Sequence, residues 1–518
     1  NQFSGSTSAG APTLTGFTTI TTTSFSVGFT APSGSALTSY EYSTDGGSTW
    51  TDAATTTSPI AITGLAANTA YSVKLRPVTL GVVGVASLAS TGTTLAEAPT
   101  SVTASSVAGS ATTLSVAFTA PTGGGATITG YEFSTNGGTS WSAATGASSP
   151  VTLTGLTSST AYTQLQLRAV NAGGSGVATA DFSGTTVPAA PTSVSAAAVN
   201  GSPTTLRVTL SQSSGGGVAI TGYEFQRDGS STWFSATTVT ATSIDLTGLS
   251  ANTAYTALKI RAVSADGAGA ATSTFAGTTV LAAPTSPSAA AVAGSSSQLS
   301  VTFTAPSGTV TSYEFSTDGG TTWSTATGTS SPITLTGLAS NTTYSALQIR
   351  AVNATGKGGA TSSFSGTTLS TAPTIDSVVA ASSSSLTVNF TSPVQAANST
   401  PATVTNYEYS TDGGTTWKAR NTTGTSSLIT ITLKSDTGLA LAPNTSYSVK
   451  IRAVNSAGSG VASGATSGST LAAAPTSPVA TAVTGDGASL SVAFTARSEE
   501  HTSELQSRGL ISYAVFCL

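Results

Sequence analysis

The side chains best able to do chemistry sit in one phrase that recurs five times. It reads YEYSTDGGSTW at Tyr40 to Trp50, then YEFSTNGGTSW, YEFQRDGSSTW, YEFSTDGGTTW and YEYSTDGGTTW, closing on Trp141, Trp233, Trp323 and Trp417. Each copy has a glutamate second, and four have an aspartate before glycine. Two carboxylates can share the acid and base work of glycoside hydrolysis only when they converge on one cleft. Here Glu41 lies between Tyr40 and Tyr42, so in a strand it points away from their shared face. Asp45 precedes Gly46-Gly47, the composition of a tight turn. A turn aspartate that accepts backbone N–H bonds, with a tryptophan laid over the hairpin, explains the pattern without catalysis. Nucleophilic catalysis needs a base, and the only histidine, His501, lies with the only cysteine, Cys517, at the far end of the chain. Asp45, Asp318 and Asp412 are single acids among glycines, short of the roughly six to eight oxygens that calcium takes. The expectation is no catalytic residue, no metal site, no cofactor and no enzymatic activity.

Charged residues make up 7% of the 518 positions, against about 25% in an ordinary globular protein. With 16 basic and 20 acidic side chains there is no basic stripe to neutralise phosphates, which argues against nucleic acid as a partner. No run of about 18 apolar residues is present, so no membrane span is expected. One cysteine cannot close an internal disulfide, and each folding unit must hold by its core alone. The Ser/Thr/Gly/Ala-rich, Lys-poor composition suits an extracellular surface. Asn-x-Ser/Thr triplets at Asn341, Asn421 and Asn444 are expected by chance in such a chain. Arg227-Asp228-Gly229 runs in the wrong order for an Arg-Gly-Asp adhesion signal.

The elements that position the phrase follow from its period of about 91 residues, which marks a repeat architecture. In the second unit, Ala98 to Ser106 reads as a lead-in strand. Thr113 to Thr119 alternates Leu114, Val116 and Phe118 with polar residues, and Ile128 to Ser134 alternates Tyr131 with Phe133. Asn136-Gly137-Gly138 supplies a hairpin turn that returns through Trp141. Val151 to Leu156, Ala161 to Val170 and a strand ending at Gly184 to Thr186 complete about seven strands, the pattern of a β-sandwich.

The stretch GLTSSTAYTQLQLRAVNAGG within this unit resembles the fibronectin type III consensus. The fold implied is all-β, a tandem array of seven-stranded immunoglobulin-like sandwiches. The resemblance assigns structural roles to Tyr71, Tyr162, Tyr255, Tyr344 and Tyr447 as tyrosine corners, and matches lead-in prolines at Pro12, Pro99, Pro191, Pro284, Pro373 and Pro475. The tryptophan usual in that family's second strand is replaced by Phe29, Phe118, Leu210, Phe303 and Phe390. The aromatic bulk is therefore expected to move to the structural tryptophans Trp50, Trp141, Trp233, Trp323 and Trp417. The hairpin itself resembles the S-x-D-x-G-x-x-W Asp box of sialidases. Asn136 departs from that pattern in the second copy, as do Gln226 and Ser230 in the third.

Parity gives two finer expectations. Outward Glu–Arg pairs should form across neighbouring strands: Glu41–Arg76, Glu132–Arg168, Glu224–Arg261, Glu314–Arg350 and Glu408–Arg452, each contributing about 0–1 kcal/mol. The corner tyrosine precedes its arginine by five positions in the outer repeats and six in the inner three. The odd residue must be absorbed, which predicts a β-bulge just after Tyr162, Tyr255 and Tyr344.

These spacings divide the chain into repeats at 10–95, 96–187, 188–280, 281–369 and 370–471, with a truncated sixth start at 472–496. Phe3 stands nine residues before Pro12, as Phe182 does before Pro191, so residues 1–9 are expected to be the last strand of a preceding repeat. RSEEHTSELQS at Arg497 to Ser507 and ISYAVFCL at Ile511 to Leu518 resemble the frame translation of a short-read sequencing adapter, which makes 497–518 a non-native tail. The linkers are short, about four residues between last strand and next lead-in. Five units of roughly 30–40 Å would reach about 150–200 Å if extended. The expected function is an extracellular structural or adhesive stalk of a bacterial secreted or cell-surface protein, in contact with extracellular polysaccharide or other surface proteins. The alternative is a spacer array in a secreted polysaccharide-degrading enzyme. Sugar binding by the hairpin tryptophans is a third reading, and it requires exposed rings.

Overall fold

The computed structural model describes residues 8–34, 36–212, 216–240, 242–393, 400–421, 424–484 and 490–495. The expectations for Phe3 and for 497–518, with His501 and Cys517, lie outside them. The chain falls into two compact units, one comprising Asn1–Ala197, Thr205–Leu249 and Ala254–Thr278, the other Ala198–Thr204, Ser250–Thr253 and Thr279–Leu518. Three sandwiches build the first unit; two more and a two-stranded ladder build the second.

The second sandwich shows the plan. Its first, second and fifth strands (Thr100–Val107, Ser110–Thr119, Val151–Leu153) form one antiparallel sheet. The facing sheet joins the fourth, third and sixth strands (Ser142–Ala143, Gly130–Ser134, Ala161–Asn171) to a seventh, broken into Gly174–Ser175 and Phe182–Thr185. The alternation of Leu114, Val116 and Phe118 puts all three in the core, opposite Tyr131, Phe133, Leu165 and Leu167. Each complete sandwich closes a core of its own in this way. The third adds a strand at Thr237–Thr240 beside Ser243–Leu246.

The inner repeats carry the bulge that the residue count demands. Pairing steps from Tyr162↔Gly184 to Leu165↔Phe182, from Tyr255↔Gly277 to Leu258↔Phe275 and from Tyr344↔Gly366 to Leu347↔Phe364, one residue extra on the sixth strand each time. In the outer repeats, the ladders from Tyr71↔Gly92 and Tyr447↔Gly468 run on without a shift.

Candidate functional site

The repeated hairpin joins the third strand to the short fourth, and its four motif positions lock one another. In the first copy, the Ser43 hydroxyl donates to Asp45 Oδ1 at 2.7 Å and accepts the amide of Gly47 at 2.8 Å. Asp45 accepts the amides of Ser48 and Thr49, each at 2.9 Å, and the Thr49 hydroxyl. The indole N–H of Trp50 donates to the Gly47 carbonyl at 3.0 Å. Gly46 and Gly47 have positive φ, 75° and 104°, where a side chain would be strained. The same lock closes at Trp323 and Trp417. Asn136 reproduces it in the second copy, accepting the Ser140 amide and donating to the Ser140 hydroxyl. In the third copy Gln226 replaces the serine, and Asp228 turns instead to the amides of Thr256 and Ala257 at the bulge.

Hydrogen bonding, not a neighbouring acid, sets how these carboxyls titrate. The Thr49 hydroxyl and amide, then Ser43, hold Asp45 well below the ordinary carboxylate range. Thr322 and Ser316 bring Asp318 down to about 2. Burial would raise Asp412, but donors on Ser410, Thr416 and Thr415 outweigh it and bring it to about 2. A carboxyl held ionised by its own turn is a poor general acid at neutral pH.

The five Glu–Arg pairs form as parity requires. Arg76 Nε meets Glu41 Oε2 at 2.6 Å, and Arg168, Arg261, Arg350 and Arg452 reach Glu132, Glu224, Glu314 and Glu408 at 2.6–2.7 Å. They differ from the expectation in being shielded: in the fourth repeat the side chains of Arg350 and Glu314 are only 11% and 17% exposed. The cover is the tryptophan. Each guanidinium stacks on the ring of its hairpin tryptophan at 3.9–4.2 Å, from Arg76 on Trp50 to Arg452 on Trp417. The aromatic bulk carried by these rings lies outside the core. They lie half-buried on the outward side of the sheet, while Phe118 and Tyr131, with centroids 4.5 Å apart, fill the core position. One face of each ring is taken by a guanidinium and the rings are half-buried, which leaves at most one face for the sugar-binding reading.

The tyrosines behave as corners. The hydroxyls of Tyr71, Tyr162, Tyr344 and Tyr447 accept the amides of Ala66, Thr157, Ala339 and Ala442, five residues upstream, at 2.7–2.8 Å. Tyr255 is buried at the matching position of the third core. Among the described residues no cluster of three His, Cys, Asp or Glu could hold a metal, and no helix is long and apolar enough to cross a membrane. A cleft of about 500 Å³ in the second unit is lined by Ala291, Gly294, Leu369, Trp417, Arg452 and Val461 among others. Its one charged side chain, Arg452, is already committed to Glu408 and Trp417. Sequence reasoning missed Asn341, read as a chance acceptor triplet: it is 2% exposed, and its amide donates to the Ala402 carbonyl of the next sandwich at 2.7 Å.

None of the curated proteins matches this chain. Among solved structures, a crystal structure of chicken CNTN1 FN1-FN3 domains aligns at 17% identity over 52% of this chain and 99% of that one, with a TM-score of 0.23. Residues 408–419, the fifth hairpin, match the BNR/Asp-box repeat. Residues 282–367 match the fibronectin type III domain. The other complete sandwiches repeat the strand pairing of that segment, and the fold is a tandem array of fibronectin type III β-sandwiches.

Proposed function

We propose that this chain is an extracellular structural or adhesive stalk, without enzymatic activity of its own. The observation that supports this most is that the acids of the repeated phrase are spent on turns and ion pairs in five sandwiches, each with its own closed core. Antibodies against the chain should label intact source cells or their medium. Staining only after permeabilisation would overturn the location. Incubation with a panel of polysaccharides should release no new reducing ends, and release abolished by substituting Glu408 or Asp412 would overturn the absence of activity. A second reading, the spacer of a secreted polysaccharide-degrading enzyme, draws on the Asp-box match at 408–419. Sequencing the flanking reading frame separates the two, since a hydrolase domain and a surface anchor differ in every motif.

A further inference from the structure

The residue two positions before each sixth strand sits at positive φ at the same corner: Asn68, Ser159, Asn252, Asn341 and Asn444, all at 46–50°. In the first unit, Asn68 is 4% exposed and reaches into the second sandwich. Its Nδ2 donates to the carbonyls of Gly123 and Ala126, and its Oδ1 accepts from Asn171 Nδ2 at 2.9 Å. Asn171 lies where the sixth strand of the second sandwich turns into the seventh, and it also donates to the Thr94 carbonyl at 2.9 Å. The second unit repeats the asparagine pair, with Asn341 Nδ2 on the Ala402 carbonyl. Asn455 Nδ2 donates to Asn341 Oδ1 and to the Thr368 carbonyl, both at 2.9 Å.

The junction between the second and third sandwiches is the informative exception. Its corner residue is Ser159 and its hairpin residue is Ser264, both buried. Ser264 turns back onto its own hairpin, and the junction is held instead by the Ser106 hydroxyl on the Asp266 carbonyl and the Gly109 amide on the Ala268 carbonyl. The two positions have changed together: Asn with Asn twice in contact, Ser with Ser once. The equivalent positions ahead of the fourth sandwich are Asn252 and Asn353, but there Asn252 Nδ2 donates to the Ser307 carbonyl and Asn353 Oδ1 accepts the amides of Thr355 and Gly356, so this junction matches in residue type and not in contact. A serine side chain is too short to meet an asparagine across the gap, so a mixed pair strands a buried amide without its partner.

We propose that the corner residue and the hairpin residue of the following sandwich form a matched recognition pair that fixes which repeat can dock after which. The rule has an immediate reading in the first sandwich. There Thr79 holds the hairpin position with its Oγ1 buried and without a partner among the described residues, beside Leu80, Val82 and Val83, which are 88%, 46% and 44% exposed. A buried hydroxyl in that state calls for a hydrogen-bonding neighbour at the corner rather than an apolar one.

The test uses the whole chain and hydrogen exchange at the Ala126 amide, which donates to the Asn68 carbonyl across the first junction, a main-chain bond whose two atoms both substitutions leave in place. Asn171→Ser and Asn68→Ser each create a mixed pair and should accelerate exchange there about tenfold or more. The double variant should exchange at least about fivefold more slowly than the product of the single effects, because contacting partners couple. Effects that multiply to within threefold would overturn the proposal, as would single variants without effect. If Asn171→Ser unfolds the second sandwich, the reciprocal pair decides. Ser264→Asn should loosen the Val218 amide, which donates to the Ser159 carbonyl across that junction, and Ser159→Asn added to it should restore protection. Failure of that rescue overturns the matched pair.

Discussion

Deleting the same hydroxyl at one structural position should have opposite signs in the first and fifth repeats. Tyr40 and Tyr407 occupy equivalent sites on the third strand, at 0% and 1% exposure, each packed against a second-strand phenylalanine with centroids 4.5 and 4.6 Å apart. The Tyr407 hydroxyl donates to Ser392 Oγ at 3.0 Å. In the first repeat that position is Ala31, and the Tyr40 hydroxyl is buried without a partner among the described residues. An unpaired buried hydroxyl costs about 1–3 kcal/mol, whereas a made hydrogen bond contributes about 0.5–1.5 kcal/mol net. Tyr40→Phe should therefore stabilise the first repeat by about 1–2 kcal/mol, and Tyr407→Phe should destabilise the fifth by about 1 kcal/mol. For a unit of this size each kcal/mol moves the midpoint by roughly 4–8 °C. Five linked repeats do not melt as one two-state system, so the assay is hydrogen exchange resolved by peptide, over Ser24–Thr30 for the first repeat and Ser385–Thr391 for the fifth, backed by calorimetry. Ala31→Ser supplies the missing acceptor and should stabilise wild type while removing the advantage of Tyr40→Phe. Destabilisation by Tyr40→Phe, or equal effects of the two Tyr→Phe changes, would refute the reasoning.

Other outcomes follow from the same geometry. Arg350→Lys loses the planar stack on Trp323 and the charge-assisted bond to Glu314, and should cost the fourth repeat about 1–2 kcal/mol in urea unfolding. It should also shift Trp323 emission toward that of a wetter ring. Acid should act on the hairpins selectively. The pKa values of Asp318 and Asp412 are lowered to about 2, so their contribution is complete above the unfolded carboxylate value near 4 and is lost as pH falls through about 2. Exchange at the Thr322 and Thr416 amides should rise across that window, while Ser140, whose amide bonds to neutral Asn136, stays level. Deleting Ser345 removes the residue absorbed by the bulge after Tyr344 and should leave the fourth repeat folded with a continuous ladder. Deleting Ser72, where no bulge exists, moves Val73 and Leu75 off the core face and should unfold the first repeat by circular dichroism.

Much of this fold can be read from the primary structure because its determinants are local. The alternation of Leu114, Val116 and Phe118, the tyrosine five residues past the amide that donates to it, and the five-versus-six count that demands a bulge all operate within a dozen residues. Parity alone places Glu41 opposite Arg76. The tryptophan's place is set otherwise: the fourth strand is two residues long, too short for alternation to assign a face. Its ring goes where the indole N–H meets the Gly47 carbonyl and a guanidinium supplies a flat partner. The asparagine pairs were illegible for a different reason. Asn68 and Asn171 are 103 positions apart, and each alone looks like an ordinary turn residue. Nor does composition announce the added strand at Thr237–Thr240, since threonines of this kind also fill the loops.

The division of strands between sheets decides how a repeat responds to being pulled. Tension enters at the first strand, which is laddered to the second, and leaves at the seventh, which is laddered to the sixth. Among the described residues no ladder joins first to seventh within a repeat. Load therefore crosses from one sheet to the other through side chains such as Leu114 and Leu165 and through single main-chain bonds such as the Val177 amide on the Ala96 carbonyl, and apolar contact has no preferred direction in which to resist sliding. Each sandwich should yield at modest force, lengthen the chain, and reclose on its own core while its neighbours stay shut. An array built this way limits the peak force passed to whatever lies at either end.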